Sequence, residues 1–207
     1  MRKPEPLGTE FKNLVDGFQG NLVWKEIMEG KERMSKKEYS NLGGTAACVM
    51  RGVTATQDLD FIPNDQEEDN TDRKRLYYGD SWFGSVKTAG NVSASNNHCV
   101  MLIQTAHSRS PKKWLEATMI DYPGGTWITM EGTTEKTGTA LVIIGYKYNK
   151  KKVLTYVTTR GAGSTEEGKP YEARFPDKYG NLCVRRVARP DCVSIFFNIL
   201  TKLISTI

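Results

Sequence analysis

The chain has 207 residues, a formal net charge of +5 and 26 % charged residues. This length gives room for one domain of ordinary size, or for one domain plus a module, and it is enough to bury a core. The mild basic excess is compatible with an acidic partner such as nucleic acid but does not require one.

Cysteine spacing and hydropathy argue against three further classes of protein. The cysteines are scattered and include no CxxC pair, which indicates neither a zinc knuckle nor a disulfide framework and predicts reduced thiols in an intracellular protein. The apolar stretch 193–207 contains Asn198 and Lys202 and is too short to span a bilayer. No transmembrane helix is therefore expected.

The first predicted elements are a hairpin and a helix. Apolar residues alternate in 11–16 and in 22–27, and the glycines between these runs suit a tight reversal, so together they predict a β-hairpin. Residues 30–39 are strongly charged and predict a solvated helix or a loop. The small apolar residues 46–50 predict a buried helix with Thr45 as its N-cap.

An alternation of strand and helix signals follows. Residues 57–73 hold a cluster of acids with almost no apolar periodicity, which predicts an exposed loop or linker. The apolar run 76–78 predicts a strand that ends at Asp80, and 85–95 predicts a helix. The continuous apolar run 99–103 predicts a central strand that is covered on both faces.

Beyond Pro111 the chain is rich in β-forming residues punctuated by glycine. The runs 127–130, 140–146 and 153–157 predict three strands, the last two joined as a hairpin at about 148–151.

We therefore predict an α/β chain in three parts. The first is a core over 1–110, which contains the acidic loop. A β-rich insertion follows over 111–190. The third part is a C-terminal amphipathic helix over 191–207, because apolar residues recur there at helical spacing.

Asp80 is the main candidate for chemistry. A carboxylate presented at the end of a strand just before a helix is where metal-dependent phosphoryl-transfer enzymes keep a metal ligand. The alternative is a helix N-cap, a role that short polar side chains fill well. By position Asp121, Glu131 and Asp191 could also join a metal site, but their spacing does not single them out, and Asp121 precedes a Pro-Gly turn.

A basic cluster with interleaved tyrosines lies in the predicted hairpin, and arginines follow in the same β-rich half. Such a surface can contact a DNA backbone through charge and counterion release without reading sequence. The alternative is a solvated hairpin tip, where lysines also guard an edge strand. The candidate DNA-binding residues are Lys147, Lys150, Lys151, Lys152, Arg185 and Arg186.

The segment 163–169 has the GxxxxGK spacing of a phosphate-binding loop. Pro170, however, stands where the magnesium-binding Ser or Thr would be, and two glutamates lie in the loop. We therefore expect a plain glycine-rich loop and no nucleotide.

Several stretches resemble those of PiggyBac-type transposases and their domesticated derivatives, whose catalytic domain has an RNase H-like fold. Residues 77–89, with Asp80 inside them, resemble the family's second-aspartate segment. The likeness covers roughly residues 2 to 198, and the order of elements is similar to an RNase H-like core that lacks its first strand. The other matching stretches are 2–12, 44–47, 124–127, 145–149 and 170–175.

The resemblance implies a chemistry that this chain carries only in part. Family members use three acids to bind two Mg²⁺ ions for DNA strand cleavage and transfer. Asp80 matches the second acid, while the first would precede Arg2 and the third would follow the β-rich insertion, and both are absent. A lone carboxylate binds Mg²⁺ weakly, so we expect a catalytically inactive chain.

The resemblance also implies transposon-end DNA as the partner, a dimer on that DNA and a nuclear location. We expect a remnant of a PiggyBac-like transposase. The alternatives are a DNA- or chromatin-binding protein without enzymatic activity and a gene fragment with no selected activity.

Overall fold

A computed structural model describes residues 10–17, 19–57, 59, 74–104, 110–135 and 137–205, with the backbone alone at 162, 173, 175 and 201–205. The strands β1 to β9 are Phe11–Val15, Leu22–Ile27, Leu76–Gly84, His98–Ile103, Trp127–Thr133, Ala140–Asn149, Lys152–Thr158, Tyr171–Pro176 and Leu182–Val187. The helices α1 to α5 are Lys31–Ser35, Gly44–Gln57, Val86–Ala94, Lys112–Thr118 and Asp191–Ser205.

A five-stranded mixed sheet forms the centre of the protein, in the order β3-β4-β7-β6-β5. Strands β3 and β4 run parallel, and the other neighbours are antiparallel. The predicted central strand is confirmed, because β4 lies between two strands and is almost entirely buried. The sheet takes strands from both sides of residue 110. The division into core and insertion at this residue stays a prediction.

Helices cover both faces of this sheet, which is why β4 is apolar without alternation. On one face, α2 and α3 pack against alternate residues of β4 such as Met101 and Ile103. On the other face, α5 packs against Val100 and Tyr156 through Val193 and Phe196. The chain is thus a mixed α/β protein, as predicted.

The hairpin predicted near the start of the chain is confirmed. Strands β1 and β2 pair antiparallel as a two-stranded sheet of their own, and β8 and β9 form another. Trp24 of β2 lies against α2, where a Cβ on Gly52 would come within 3.2 Å of the indole ring. The β1–β2 hairpin therefore packs on α2, beside the main sheet rather than in it.

The predicted helices form, with one correction. Helix α2 begins at Gly44, directly after Gly43 with its positive φ of 85°. Thr45 consequently lies inside the first turn, and its assignment as the N-cap was wrong. Helix α3 matches the expected 85–95 segment, and Ser85 caps it by accepting a hydrogen bond from the backbone N–H of Thr88 at 3.0 Å.

The remaining predictions have mixed outcomes. The hairpin at about 148–151 is confirmed by the pairing of Asn149 with Lys152 between β6 and β7. The C-terminal helix is confirmed as α5, and the charged segment 30–39 contains α1. The acids of the segment 57–73 lie outside the described residues. Within the described part of the chain, the helices are all too short or too polar to cross a membrane.

Candidate functional site

Asp80 lies in the middle of β3, so the prediction that a strand ends at this residue was wrong. The parallel register is regular from Leu76 opposite His98 to Gly79 opposite Met101, and it resumes only at Gly84 opposite Ile103. Five steps along β3 therefore correspond to two along β4. Residues 80–83 bulge out of the ladder, and Asp80 is the first of them.

The Asp80 side chain stabilises this bulge. Its Oδ1 accepts hydrogen bonds from the backbone N–H groups of Trp82 at 2.8 Å and Phe83 at 3.4 Å, as in an Asx turn. The N-cap of the following helix is Ser85, so the N-cap alternative for Asp80 was also wrong. Asp80 is an exposed turn-forming residue in this structure.

Glycine ends the bulge because the chain returns very close to β4. A Cβ on Gly84 would lie 1.8 Å from the carbonyl oxygen of Leu102. No side chain can occupy that position without moving backbone, which explains glycine at the point where pairing resumes.

Among the described residues, no set of acidic or imidazole side chains surrounds Asp80 to complete a magnesium site. Magnesium needs several oxygens in an octahedral arrangement, and one Asp80 oxygen already accepts two backbone hydrogen bonds. The described residues contain no group of three His, Cys, Asp or Glu side chains that could hold a metal. Glu131 is exposed on the edge strand β5, and Asp191 pairs with Arg160 at 3.6 Å at the start of α5.

A second carboxylate, Asp16, shares a groove with Asp80. This groove, which we call the edge groove, lies between β1 and β3 and has a volume of about 410 Å³. Its other lining residues include Tyr77 and Tyr78 of β3 and Ile199 of α5. Burial raises the pKa of Tyr78, which therefore stays neutral.

Lys147 does not belong to an exposed basic surface. It is only 2 % exposed, and its Nζ donates a hydrogen bond to the carbonyl oxygen of Ile120 at 2.8 Å. The buried run of β6 continues through this residue because the chain after α4 closes over it. A lysine held in this way cannot reach a DNA phosphate, so its place in the predicted DNA-binding set is corrected.

The other predicted basic residues are exposed but do not form one cluster. Lys150, Lys151 and Lys152 occupy the tip of the β6–β7 hairpin, where Asn149 Oδ1 accepts a hydrogen bond from the backbone N–H of Lys151 at 2.9 Å. Arg186 pairs instead with Glu172 across the β8–β9 hairpin, at 3.2 Å.

The structure does bring Lys150 and Arg185 together. Both line a cavity of about 530 Å³, which we call the basic groove, between the β6–β7 tip and β9. Tyr122 and Tyr148 also line it, each 40 % exposed, and so does the carboxylate residue Asp121. The predicted turn role of Asp121 agrees with its place after α4, just before Pro123.

Sequence reasoning missed Tyr122 and the structural role of Arg189. Tyr122 reaches the basic groove from the chain after α4, and no local pattern joins that segment to the lysines. Arg189 is buried between the rings of Tyr171 and Phe197, with its guanidinium carbon 4.4 and 4.7 Å from their centroids. Cation–π contacts there hold the β8–β9 hairpin against α5.

The glycine-rich segment 163–169 leads into a strand. A short 3₁₀ turn at Ala162–Thr165 opens it, Glu167 forms a bridge with Pro190, and β8 follows. A Cβ on Gly168 would lie 2.6 Å from the Cα of Asp191, so this glycine permits close packing against α5.

Comparisons with known proteins give a relationship at the level of the fold. The chain is similar to a piggyBac transposase solved by cryo-EM as a synaptic complex with hairpin DNA, with a TM-score of 0.61 and 13 % sequence identity. The similarity covers 99 % of this chain but only 35 % of the transposase chain. No family model matches the sequence, and neither does any curated protein. The chain therefore has a piggyBac-like fold and spans about a third of that transposase's length.

Proposed function

We propose that this chain is a transposase-derived protein that binds the DNA backbone through the basic groove and does not cleave DNA. The observation that carries the proposal is the convergence of Lys150 and Arg185 on one groove flanked by exposed tyrosines. The fold supports it, because the similar transposase was solved in a complex with DNA. We further infer that the sheet and helices descend from an RNase H-like core of the PiggyBac type.

The chemistry of the groove suits phosphate rather than base recognition. Lysine and arginine attract phosphate oxygens and release condensed counterions from DNA, and this contribution to affinity is independent of sequence. Tyr122 and Tyr148 add hydroxyl donors and ring surfaces beside these cations. The Asp121 carboxylate in the same groove opposes phosphate, so we expect moderate affinity that falls steeply with salt.

The Asp80 geometry in the described residues supports the proposed lack of cleavage. Two-metal phosphoryl transfer requires several carboxylates around both ions. Here Asp80 organises a backbone turn, and the other candidate acids named above lie on separate elements. Location in the nucleus and a dimer on DNA remain predictions from the family resemblance.

DNA binding is tested with the variant Lys150→Gln/Arg185→Gln. Fluorescence anisotropy with a labelled DNA duplex at several salt concentrations gives the slope of log affinity against log salt. Loss of two phosphate contacts should make that negative slope shallower by about 1.8. It should also weaken binding to all duplex sequences alike.

The control is Lys31→Gln/Lys36→Gln, which removes the same charge from two exposed positions, one at the start of α1 and one directly after its end. Equal losses of affinity in both variants would show that only net charge matters, and the basic groove would not be the binding site.

Cleavage is tested separately by incubating the protein with supercoiled plasmid and Mg²⁺. We expect no nicking. Nicking that disappears in Asp80→Asn would overturn the non-catalytic part of the proposal, while nicking that persists in this variant would point to a contaminating nuclease.

A further inference from the structure

A row of four planar side chains runs from β8 to the basic groove. The guanidinium of Arg189 lies between the rings of Tyr171 and Phe197, 4.4 and 4.7 Å from their centroids. The ring of Phe197 in turn stacks on that of Tyr148, with 6.0 Å between centroids and 18° between planes. Offset stacking is favourable at such distances. We call this row the planar stack.

The planar stack ends at an exposed ring inside the basic groove. Tyr148 is 40 % exposed and lines that groove. Phe197 covers one face of its ring, so the opposite face is the one that a ligand can reach. A further planar group placed there would extend the stack by one member. A nucleobase is such a group, because every base has a π-face.

Buried neighbours hold the Tyr148 ring in place. Phe197 of α5 also meets the ring of Phe196 edge-on, at 6.0 Å and 88°. Phe196 belongs to the core, and Arg189 at the centre of the stack is only 6 % exposed. A ring that is already fixed loses little rotamer freedom when a ligand binds, and this preorganisation favours affinity.

The segment that carries Tyr122 is fixed on the same groove. The N–H of Gly125 donates to the carbonyl oxygen of Lys147 at 2.8 Å, and the N–H of Lys147 donates to that of Thr126 at 2.8 Å. Gly125 also lies close to β9, because a Cβ on it would come within 3.0 Å of Cγ1 of Val187. The groove is therefore preformed, with a tyrosine from each of two elements.

The two cations of the groove come from either side of the sequence between these tyrosines and β9. Lys150 follows Tyr148 by two residues at the hairpin tip, and Arg185 belongs to β9. Both are exposed. A strand whose base lies on Tyr148 keeps its phosphates beside the stack, where such cations attract them. Aromatic rings within a positively charged groove are the combination that binds single-stranded nucleic acid without sequence preference.

The size of the groove favours an unpaired strand over a duplex. Its volume of about 530 Å³ is that of a site for a small ligand, so it holds a nucleotide, whereas a duplex can only lie across its mouth. In a duplex each base is covered by its neighbours and must be unstacked, at a cost, before a side chain can stack on it. An unpaired base avoids most of this cost.

We propose that the basic groove binds single-stranded DNA, with one unpaired base stacked on Tyr148 as the next member of the planar stack. This inference rests on the proposed function, because Lys150 and Arg185 supply the phosphate contacts in both. It adds a preference for unpaired over paired DNA. The base is held by its face and not by its edge, so binding stays independent of sequence.

The first test compares short DNA ligands on the unaltered full chain by fluorescence anisotropy. A single strand of thymidines should bind about tenfold more tightly than an abasic strand with the same number of phosphates, because only the stacking is lost. It should also bind more tightly than a duplex of the same length. A 2-aminopurine base in the strand should lose fluorescence at saturation as it stacks. Equal affinities for the first two ligands, a tighter duplex or unchanged fluorescence would overturn the proposal.

Variants then locate the stacked base. Tyr148→Leu should weaken single-strand binding about tenfold with an unchanged salt slope, since no charge is removed, and duplex binding about twofold or less. Tyr148→Phe keeps the ring and should keep most of the single-strand affinity. The matched control is Tyr179→Leu, because Tyr179 is 75 % exposed in the β8–β9 turn and also lies beside a lysine, with Lys178 Nζ 4.8 Å from its ring centroid. Equal losses in the two leucine variants would contradict stacking on Tyr148.

The variant Lys150→Gln/Arg185→Gln separates failure of this inference from failure of the proposed function. If it weakens both the single strand and the abasic strand while Tyr148→Leu weakens neither, the backbone contact stands and the stacked base is refuted. If it changes neither affinity, the proposed function fails as well. If Tyr148→Leu does not fold by circular dichroism, the thymidine and abasic strands on the unaltered chain still decide the question.

Discussion

The guanidinium of Arg51 donates two parallel hydrogen bonds to the carboxylate of Glu26, from Nε to Oε1 at 2.8 Å and from Nη2 to Oε2 at 2.9 Å. Glu26 belongs to β2 and Arg51 to α2, so the pair joins the N-terminal hairpin to the body of the protein. Lys37 adds a second cation, 3.3 Å from the same carboxylate. Among the described residues, the hairpin forms no ladder with the main sheet. This ion pair, together with the packing of Trp24 on α2, therefore helps to fix its position.

Glu26→Gln should lower the free energy of unfolding by about 2–3 kcal/mol, because it leaves Arg51, whose side chain is only 11 % exposed, without its charge partner. Glu26 is only 6 % exposed, which sets it apart from surface pairs. Urea denaturation followed by tryptophan fluorescence measures the change. Glu32→Gln is the control. It breaks an exposed pair between Glu32 of α1 and Lys36, the residue after this helix, and should cost about 0.5 kcal/mol or less. Similar losses in the two variants would contradict the role of the Glu26 pair.

Stability should also fall in acid through Glu26. Burial acts to raise the pKa of Glu26, but hydrogen bonds from Arg51, Cys48 and Lys37 outweigh it and hold the pKa below its ordinary value of 4.5. Because the folded-state pKa is lower than the unfolded one, the carboxylate stabilises the fold above pH 4.5, and this contribution is lost as pH falls through the folded-state pKa. Unfolding free energies measured across this range should decline less steeply in Glu26→Gln than in the unaltered protein. Parallel curves would show that other carboxylates dominate.

Asp80→Ala should destabilise the protein by about 1 kcal/mol through loss of the two turn hydrogen bonds. Asp80→Asn should cost little, because the amide oxygen can accept the same bonds from Trp82 and Phe83. Chemical denaturation of both variants gives the comparison. If Asn is as damaging as Ala, the negative charge itself matters, and the purely structural role of Asp80 is refuted.

Gly84→Ala should destabilise by about 3 kcal/mol or more, since its Cβ would meet the backbone oxygen of Leu102 and not a movable side chain. Gly44→Ala is the matched control. A Cβ at that position, in the first turn of α2, would have no neighbour within 4 Å, and alanine favours helix. Thermal melts should show a large drop for the first variant and no drop for the second. A small effect at Gly84 would mean that the bulge can rearrange.

Local patterns were enough to predict most of the strands and helices but not the details of pairing. The apolar run of β4 reflects burial on both faces along the strand, and the apolar spacing of α5 reflects burial of one helix face. Because each pattern extends over a whole element, both elements were predicted correctly. The bulge after Gly79 depends on how β3 meets β4, and no pattern within β3 reveals that register. For this reason Asp80 was placed at the end of a strand and assigned either a metal or a helix cap, when it supports a turn.

For the basic residues too, local sequence patterns did not reveal the tertiary contacts that decide their exposure and grouping. Lysine is usually solvated, but Lys147 is buried, and the carbonyl oxygen of Ile120, just after α4, accepts a hydrogen bond from its ammonium group. Lys150 and Arg185 belong to different hairpins, so their convergence is a property of the tertiary fold. The edge groove could not be predicted either, since it depends on where the β1–β2 hairpin packs.

The contact between the start and the end of the described chain bears on folding kinetics. A Cβ on Gly17, just after β1, would lie 3.5 Å from Cδ1 of Ile199 in α5. Contacts so far apart in sequence raise the contact order, because a long loop must close before they can form. The packing of α5 against the hairpin is therefore expected to be among the last events of folding. Until it occurs, the edges of β1 and β3 are exposed and can pair with strands of other chains.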